Sequence, residues 1–362
     1  MSNTRGGLHY ATSYEEWTLD EATAEFHNLF HIEMEHYMMA NYIMTILEHR
    51  YDGTRVDVNR PIRPFENTPL GIAIRAGNLE VVNVLLKFGA DANLCQMYDI
   101  HTKSKTTPLH HAVCNNRCGV DMMESLLKHG ASVYAIDGSE KTILHYICQN
   151  NREDISIESS TLVTKKLEKL DLVLKNIEPN RLHGVLNYKN RQGDIPLHTA
   201  ISYHRCDIAA DLIAAGSDVN LRNNMGYSSL NWAVLNMRDE TDHPEVAEFF
   251  SSEFVIQYMI KFNADVETTT ESGNTPLFTA IHPYYQDGCH YIEPKMWAIK
   301  ILLHHGASLS NKNANGVSPW SSADKTTRDK ISEFLNEMKK ETLQKRHIGA
   351  IIAPDATRRP LY

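Results

Sequence analysis

Nineteen histidines and six cysteines make metal and nucleophile chemistry the first question for this chain. Two clusters carry suitable residue types. His110-His111…Cys114-x3-Cys118 has zinc-type ligands, and His282…Cys289-His290…Glu293 sets a thiol beside an imidazole and a carboxylate. Structural zinc needs four convergent ligands, whereas the first cluster is spread over the opening turn of a helical run and the loop after it. A cysteine nucleophile needs a base and an orienting group held against it, and nothing else in the chain supplies them for Cys289. No phosphate loop, Gly-x-Ser-x-Gly elbow or paired-carboxylate motif occurs. The sequence therefore reads as non-catalytic, with no cofactor and no metal. An enzyme with its active site in the inserted loops around Cys289-His290 is the alternative class.

The elements that must position any site come from one recurring unit, clearest in Asn190–Arg222. Gly193 marks a tight turn that tolerates positive φ. Pro196 opens a short apolar run (Leu197, Ala200, Ile201) at helical spacing, and a second run (Ile208, Ala209, Leu212, Ile213) stops at Ala215-Gly216. Such a turn-helix-helix unit has too few apolar residues to fold alone. Its copies include Thr68-Pro69-Leu70 with Leu85-Leu86-Lys87-Phe88-Gly89-Ala90, and Thr107-Pro108-Leu109-His110 with Leu126-Leu127-Lys128-His129-Gly130-Ala131. Thr142-Ile143-Leu144-His145, Gly226-Tyr227-Ser228-Ser229-Leu230 and Thr275-Pro276-Leu277 with Leu302-Leu303-His304-His305-Gly306-Ala307 complete the set.

This pattern resembles the ankyrin repeat, over roughly residues 33–338. The resemblance implies an all-α ankyrin-repeat solenoid of helix-turn-helix units joined by β-hairpin turns, about six repeats between degenerate caps. It also implies that His110, His145 and His198 tie the turn to neighbouring backbone. The expected boundaries are a loose start (1–17), an N-terminal helical cap (18–60), the array with a C-terminal half-repeat cap (61–338) and a basic flexible tail (339–362). A capping box is expected at Thr18 and Glu21.

Composition narrows the function. A formal charge of −9 argues against a general nucleic-acid binder. The cysteines show no regular pairing and several fall in apolar helical runs, so they read as reduced thiols of a cytoplasmic chain. No signal peptide and no stretch long enough to span a bilayer is evident. The expected state is a monomer.

The surplus length is localised. The equivalent leucines at 70, 109, 144, 197, 230 and 277 are separated by 39, 35, 53, 33 and 47 residues, against a usual period of about 33. One insertion lies at Leu94–Lys105, and larger ones fall around 151–164, 237–253 and 283–295, between the two helices of their repeats. These three loops hold eleven acids, Asp239, Glu240, Asp242 and Glu245 among them, against Arg152, Arg238 and Lys295. Their balance of −8 is nearly the charge of the whole chain. They are expected to line up as an acidic ridge that steers a partner with a basic surface.

The family holds partner proteins with hairpin tips and first helices along a concave groove. Mapping its variable positions gives Lys141, Gln149, Arg191, Asp194, Ser202, Tyr203, Met225, Tyr227, Trp232, Asn236, Glu271 and Asn274. Tyr, Trp, Met and Arg are the residue types that most often anchor interfaces. The expected function is a protein–protein interaction scaffold or adaptor. The irregular repeats without an attached domain also resemble ankyrin proteins that intracellular bacteria deliver into host cells, which would place the chain in host cytosol. A third class is a substrate of an asparaginyl hydroxylase, because Leu85-x5-Asp91-Ala92-Asn93 and Leu212-x5-Asp218-Val219-Asn220 resemble the hairpins such enzymes modify at asparagine.

Overall fold

The computed structural model describes residues 17–31, 35–51, 53–62, 67–94, 97–98, 105–149, 159–237, 251–282 and 294–352. Its helices come in pairs because each sequence repeat starts and stops a helix twice. The chain opens with α1 (Leu19–Asn28) and α2 (His36–Glu48). Thr18 is the N-cap of α1 and exchanges hydrogen bonds with Glu21, whose carboxylate accepts the Thr18 backbone N–H at 2.8 Å. Helix pairs follow: α3 (Pro69–Ala76) with α4 (Leu79–Lys87), α5 (Pro108–Cys114) with α6 (Val120–Lys128), and α7 (Ile143–Cys148) with α8 (Ser159–Lys175). A single helix, α9 (Pro179–Leu186), precedes the next pairs. These are α10 (Pro196–Ser202) with α11 (Cys206–Ala214), α12 (Ser229–Asn236) with α13 (Ser252–Lys261), and α14 (Pro276–Ile281) with α15 (Met296–His304). The short α16 (Pro319–Ser322) and long α17 (Lys325–Ile352) close the chain.

Helices α3, α12, α14 and α16 start where a Thr or Ser accepts the third helical N–H and Pro or a small residue follows. Thr68 Oγ1 accepts Gly71 N at 3.2 Å and Thr275 Oγ1 accepts Phe278 N at 3.2 Å. Proline at the next position loses only an N–H that would be orphaned anyway. Second helices stop where Gly89, Gly130, Gly216 and Gly306 take positive φ, while Asn263 serves α13 at φ 65.

The chain forms two compact units, 1–191 and 192–362. In the first, α3, α5 and α7 lie side by side in one layer, backed by α2, α4, α6 and α8. In the second, α10, α12, α14 and α16 form one layer and α11, α13, α15 and α17 the other. Leu109 and Leu126, and likewise Leu197 and Leu212, are fully buried between the layers. Each such side chain contributes about 1.5–3 kcal/mol of transfer free energy.

The insertion at Leu94–Lys105, expected in the hairpin region before Thr107, carries an antiparallel ribbon, β1 (Met97–Tyr98) with β2 (Lys105–Thr106). Two departures from the sequence expectation have physical causes. Part of the 53-residue step is α9, a helix begun by Glu178-Pro179 rather than a loop between paired helices. The helix placed before a flexible tail continues through Ile352, well past 339. Lys339–Arg346 is rich in good helix formers and no proline intervenes before Pro354. Among the described residues no helix is long and apolar enough to cross a membrane.

Candidate partner-binding surface

The turn histidines are built into the fold. Thr107 N donates to His110 Nδ1 at 3.3 Å, Thr142 N to His145 Nδ1 at 3.1 Å, and Ile195 N to His198 Nδ1 at 3.4 Å. An amide only donates, so each Nδ1 is unprotonated and the ring hydrogen sits on Nε2. His198 Nε2 then donates to the Tyr227 carbonyl of the next hairpin at 3.1 Å. Burial above all pushes the His110 imidazole down to about 4, with facing Asp137 acting in the opposite direction.

Hairpin tips are shaped by a polar side chain that accepts two backbone N–H groups. Asp137 Oδ1 takes those of Ser139 and Lys141, Asn223 Oδ1 those of Met225 and Tyr227, and Asn313 Oδ1 those of Asn315 and Val317. Neighbouring tips are then joined through backbone. Arg191 N donates to Ser139 O at 3.1 Å in the first unit. In the second, Asn224 N donates to Gln192 O at 3.1 Å and Ala314 N to Ser272 O at 3.0 Å. Gly193 is required at this approach: at φ +77, a Cβ would lie 2.5 Å from Asn224 N.

Asn93 and Asn220 make further rungs. Asn93 Oδ1 accepts Ser132 N and its Nδ2 donates to Gly130 O, while Asn220 Oδ1 accepts Asp265 N and its Nδ2 donates to Asn263 O.

The surface positions read from the sequence divide by unit. In the first, Lys141 is half-buried with its ammonium 6.0 Å from the Tyr146 ring centre, and exposed Arg191 donates to Gly138 O at 2.7 Å. Gln149 terminates α7, its carbonyl taken by Lys166 Nζ at 2.8 Å. In the second, the rings of Tyr227 and Trp232 meet at 5.3 Å, and Trp232 Nε1 donates to Ser202 Oγ at 2.7 Å. That ties down Trp232 and leaves Tyr227 half-buried, so the tip tyrosine is not a free-standing anchor. Met225, 42% exposed, and Tyr203, 38% exposed, are the more open apolar groups. Asp194 accepts Asn223 Nδ2 at 2.9 Å, Glu271 is exposed beside Gly226, and Asn274 Oδ1 accepts Asn313 Nδ2 at 2.9 Å.

Asp239, Glu240, Asp242 and Glu245 lie outside the described residues, as do Cys289 and His290. Lys295, counted above among the loop charges, is a correction. Its Nζ donates at 2.7 Å to each of the Val234, Leu235 and Met237 carbonyls at the end of α12. Buried Lys169 does the same for α5, reaching the Ala112, Val113 and Asn115 carbonyls at 3.0, 3.0 and 3.2 Å. Each lysine comes from the following repeat and meets the negative end of the helix dipole. Burial pushes the Cys118 thiol up to about 11, so it has little thiolate near neutrality. Among the described residues no three His, Cys, Asp or Glu gather to hold a metal.

A family model described as ankyrin repeats in three copies matches residues 36–137 and 117–223, together more than half of the chain. The chain belongs to the ankyrin-repeat family. Its all-α fold is the ankyrin solenoid, and at that level it is a protein–protein interaction module. This ankyrin chain is 27% identical over 202 residues to the nuclear factor NF-kappa-B p105 subunit of Gallus gallus, covering 56% of the chain and 17% of p105. It is 26% identical over 163 residues to phosphocholine transferase AnkX of Legionella pneumophila, covering 45% of the chain and 15% of AnkX. The chain thus spans about a sixth of each of these relatives. The crystal structure of the Bcl-3 ankyrin repeat domain superposes with a TM-score of 0.54 at 22% identity, over 75% of this chain and 98% of that one.

Proposed function

We propose that this ankyrin protein is a non-catalytic scaffold that holds a partner protein on the hairpin tips and first helices of its second unit. The observation that carries the reading is the tip row there. Backbone bonds join the Gln192 tip to the Asn224 tip and the Ser272 tip to the Ala314 tip, and Met225 and Tyr203 stand exposed beside the Tyr227–Trp232 pair. A surface already rigid loses little entropy on binding. Lys141, Gln149 and Arg191 extend the same role to the first unit. The carboxylates Asp239, Glu240, Asp242 and Glu245 act on encounter, attracting a basic partner before contact.

The finer reading is a bacterial effector acting on host proteins in host cytosol, and its support is that one of the similar proteins comes from the bacterium Legionella pneumophila. Asn93 and Asn220 are hydroxylation candidates, and each amide must leave its rung before an enzyme reaches it.

The test uses a partner captured by the wild-type chain. Met225→Asp with Tyr203→Asp weakens its affinity at least about tenfold through lost apolar contact, while Cys289→Ala with His290→Ala leaves it unchanged. Full affinity of a folded Met225→Asp/Tyr203→Asp variant refutes the placement of the site. Loss of activity in the Cys289→Ala/His290→Ala variant, with partner binding intact, favours the enzyme reading.

A further inference from the structure

The N-terminal cap contains a histidine whose surroundings keep it neutral. Helix α1 packs on α2, and the helical turn after it (Leu29–His31) packs on α3. Together they bury Ala22, Phe26 and Leu29. His27 lies in the last turn of α1, its ring centre 5.8 Å from that of Phe26. Its Nε2 is buried, and among the described residues no hydrogen-bond partner reaches that atom.

A neutral imidazole can leave one ring nitrogen bare, but an imidazolium carries a hydrogen on both. Protonated in the docked cap, His27 would bury a charged N–H that has no acceptor. The neighbouring charges add to this. Arg60, in the turn 57–60, and His31, in the turn after α1, oppose a positive charge on His27, and Asp57 favours one. Burial is the largest cause, and the balance holds the imidazole below its ordinary 6.5. Once α1 lifts away, Nε2 meets water and the repulsion is gone.

We propose that the N-terminal cap is an acid-released latch, in which protonation of His27 detaches residues 19–31 from α2 and α3 and uncovers the apolar faces closed by Ala22, Phe26 and Leu29. The released cap binds the proton more readily than the docked one. Docking is therefore complete above about 6.5 and weakens as pH falls below it. Release is local, because a terminal element gives up one interface and leaves the repeats behind it stacked. The chain then presents an apolar end in acid and a closed end near neutrality.

Amide exchange of the full chain at pH 7.5 and pH 5.5, expressed as protection relative to free-peptide rates at each pH, tests the proposal. Protection in α1 is expected to fall at least about fivefold between the two, while that of α11 in the second unit changes less than about twofold. His27→Gln carries no titrating group, so its α1 response is flat. Should that variant leave the cap open at pH 7.5, two surface substitutions that keep His27 act in opposite directions. Arg60→Gln removes a repulsion from the docked state and shrinks the response. Asp57→Asn removes an attraction and enlarges it, while its side-chain oxygen can still accept the Asn59 N–H. A docked cap whose protection is the same at both pH values overturns the proposal. So does an equal response in the wild type, Arg60→Gln and Asp57→Asn, because acid softening of the whole chain would not depend on the charges beside His27.

Discussion

His110 gives the most direct test of how the turns hold the array together. Its ring is fully buried, and Nδ1 faces two groups of Thr107, the backbone N–H at 3.3 Å and the hydroxyl at 2.8 Å. Protonation would add a hydrogen where the amide already points one, inside a dry layer. The folded chain therefore takes up this proton only near pH 4, against about 6.5 for an unhindered imidazole. Between those values the unfolded chain binds more protons, so stability is complete above about 6.5 and falls as pH drops toward 4. At ~1.4 kcal/mol per pH unit the full window amounts to ~3 kcal/mol, and most of it is lost by pH 4.5. His110→Gln removes the titration while keeping an acceptor at the third helical position, where glutamine is a natural capping-box residue. The assay is urea unfolding followed by circular dichroism at pH 7 and pH 4.5, with amide exchange in α5 as the local readout. The variant is expected to lose ~2–3 kcal/mol less than the wild type between the two pH values. An identical acid response in both proteins refutes the reasoning.

Four further substitutions probe other parts of the fold. Lys169→Met leaves three helix-end carbonyls without their charged donor and should cost ~2–4 kcal/mol in urea unfolding; a shift within ~0.5 kcal/mol would remove the lysine from the account of helix termination. Arg205 and Asp207 form a buried ion pair, Arg205 Nε donating to Asp207 Oδ1 at 2.9 Å, so Asp207→Ala takes the facing carboxylate from a buried guanidinium and should cost ~3–5 kcal/mol by the same measurement. Gly193→Ala suffers both positive φ and collision with Asn224, whereas Gly216→Ala at φ +103 meets open space. Melting should therefore show a loss of ~1–3 kcal/mol for Gly193→Ala, clearly larger than for Gly216→Ala, and equal shifts would mean that the tips are not in fixed register.

The fold was legible because its signals are local. Thr107-Pro108-Leu109-His110 contains the cap, the first helical residue, the core contact and the turn lock within four residues, and each does in space what its type dictates. The lysine caps were not legible for the opposite reason. Lys295 meets carbonyls 58–61 residues away, and a lone lysine beside an acidic stretch looks like a surface charge until those carbonyls are placed. Helix α9 was hidden by arithmetic: a 53-residue step reveals surplus length but not which side of the second helix holds it. For the surface, the family pattern identified Met225, Tyr203, Tyr227 and Trp232. It could not say that Ser202 would satisfy the indole and leave the methionine more open than the tyrosine.

The lysine caps also bear on how such a chain tolerates change. After α10, where the connection is short, the turn supplies donors to the last carbonyls, Arg205 N to Ala200 O and His204 N to Ile201 O. After α12, where the chain has acquired extra residues, Lys295 satisfies them from the next repeat instead. Helix integrity is then independent of how long the connection is or what it contains. The stretch ahead of Lys295 becomes a splice port: its sequence can be lengthened, shortened or exchanged, provided that one ammonium still returns to the end of α12. Recognition loops can diversify there while the array behind them keeps its register.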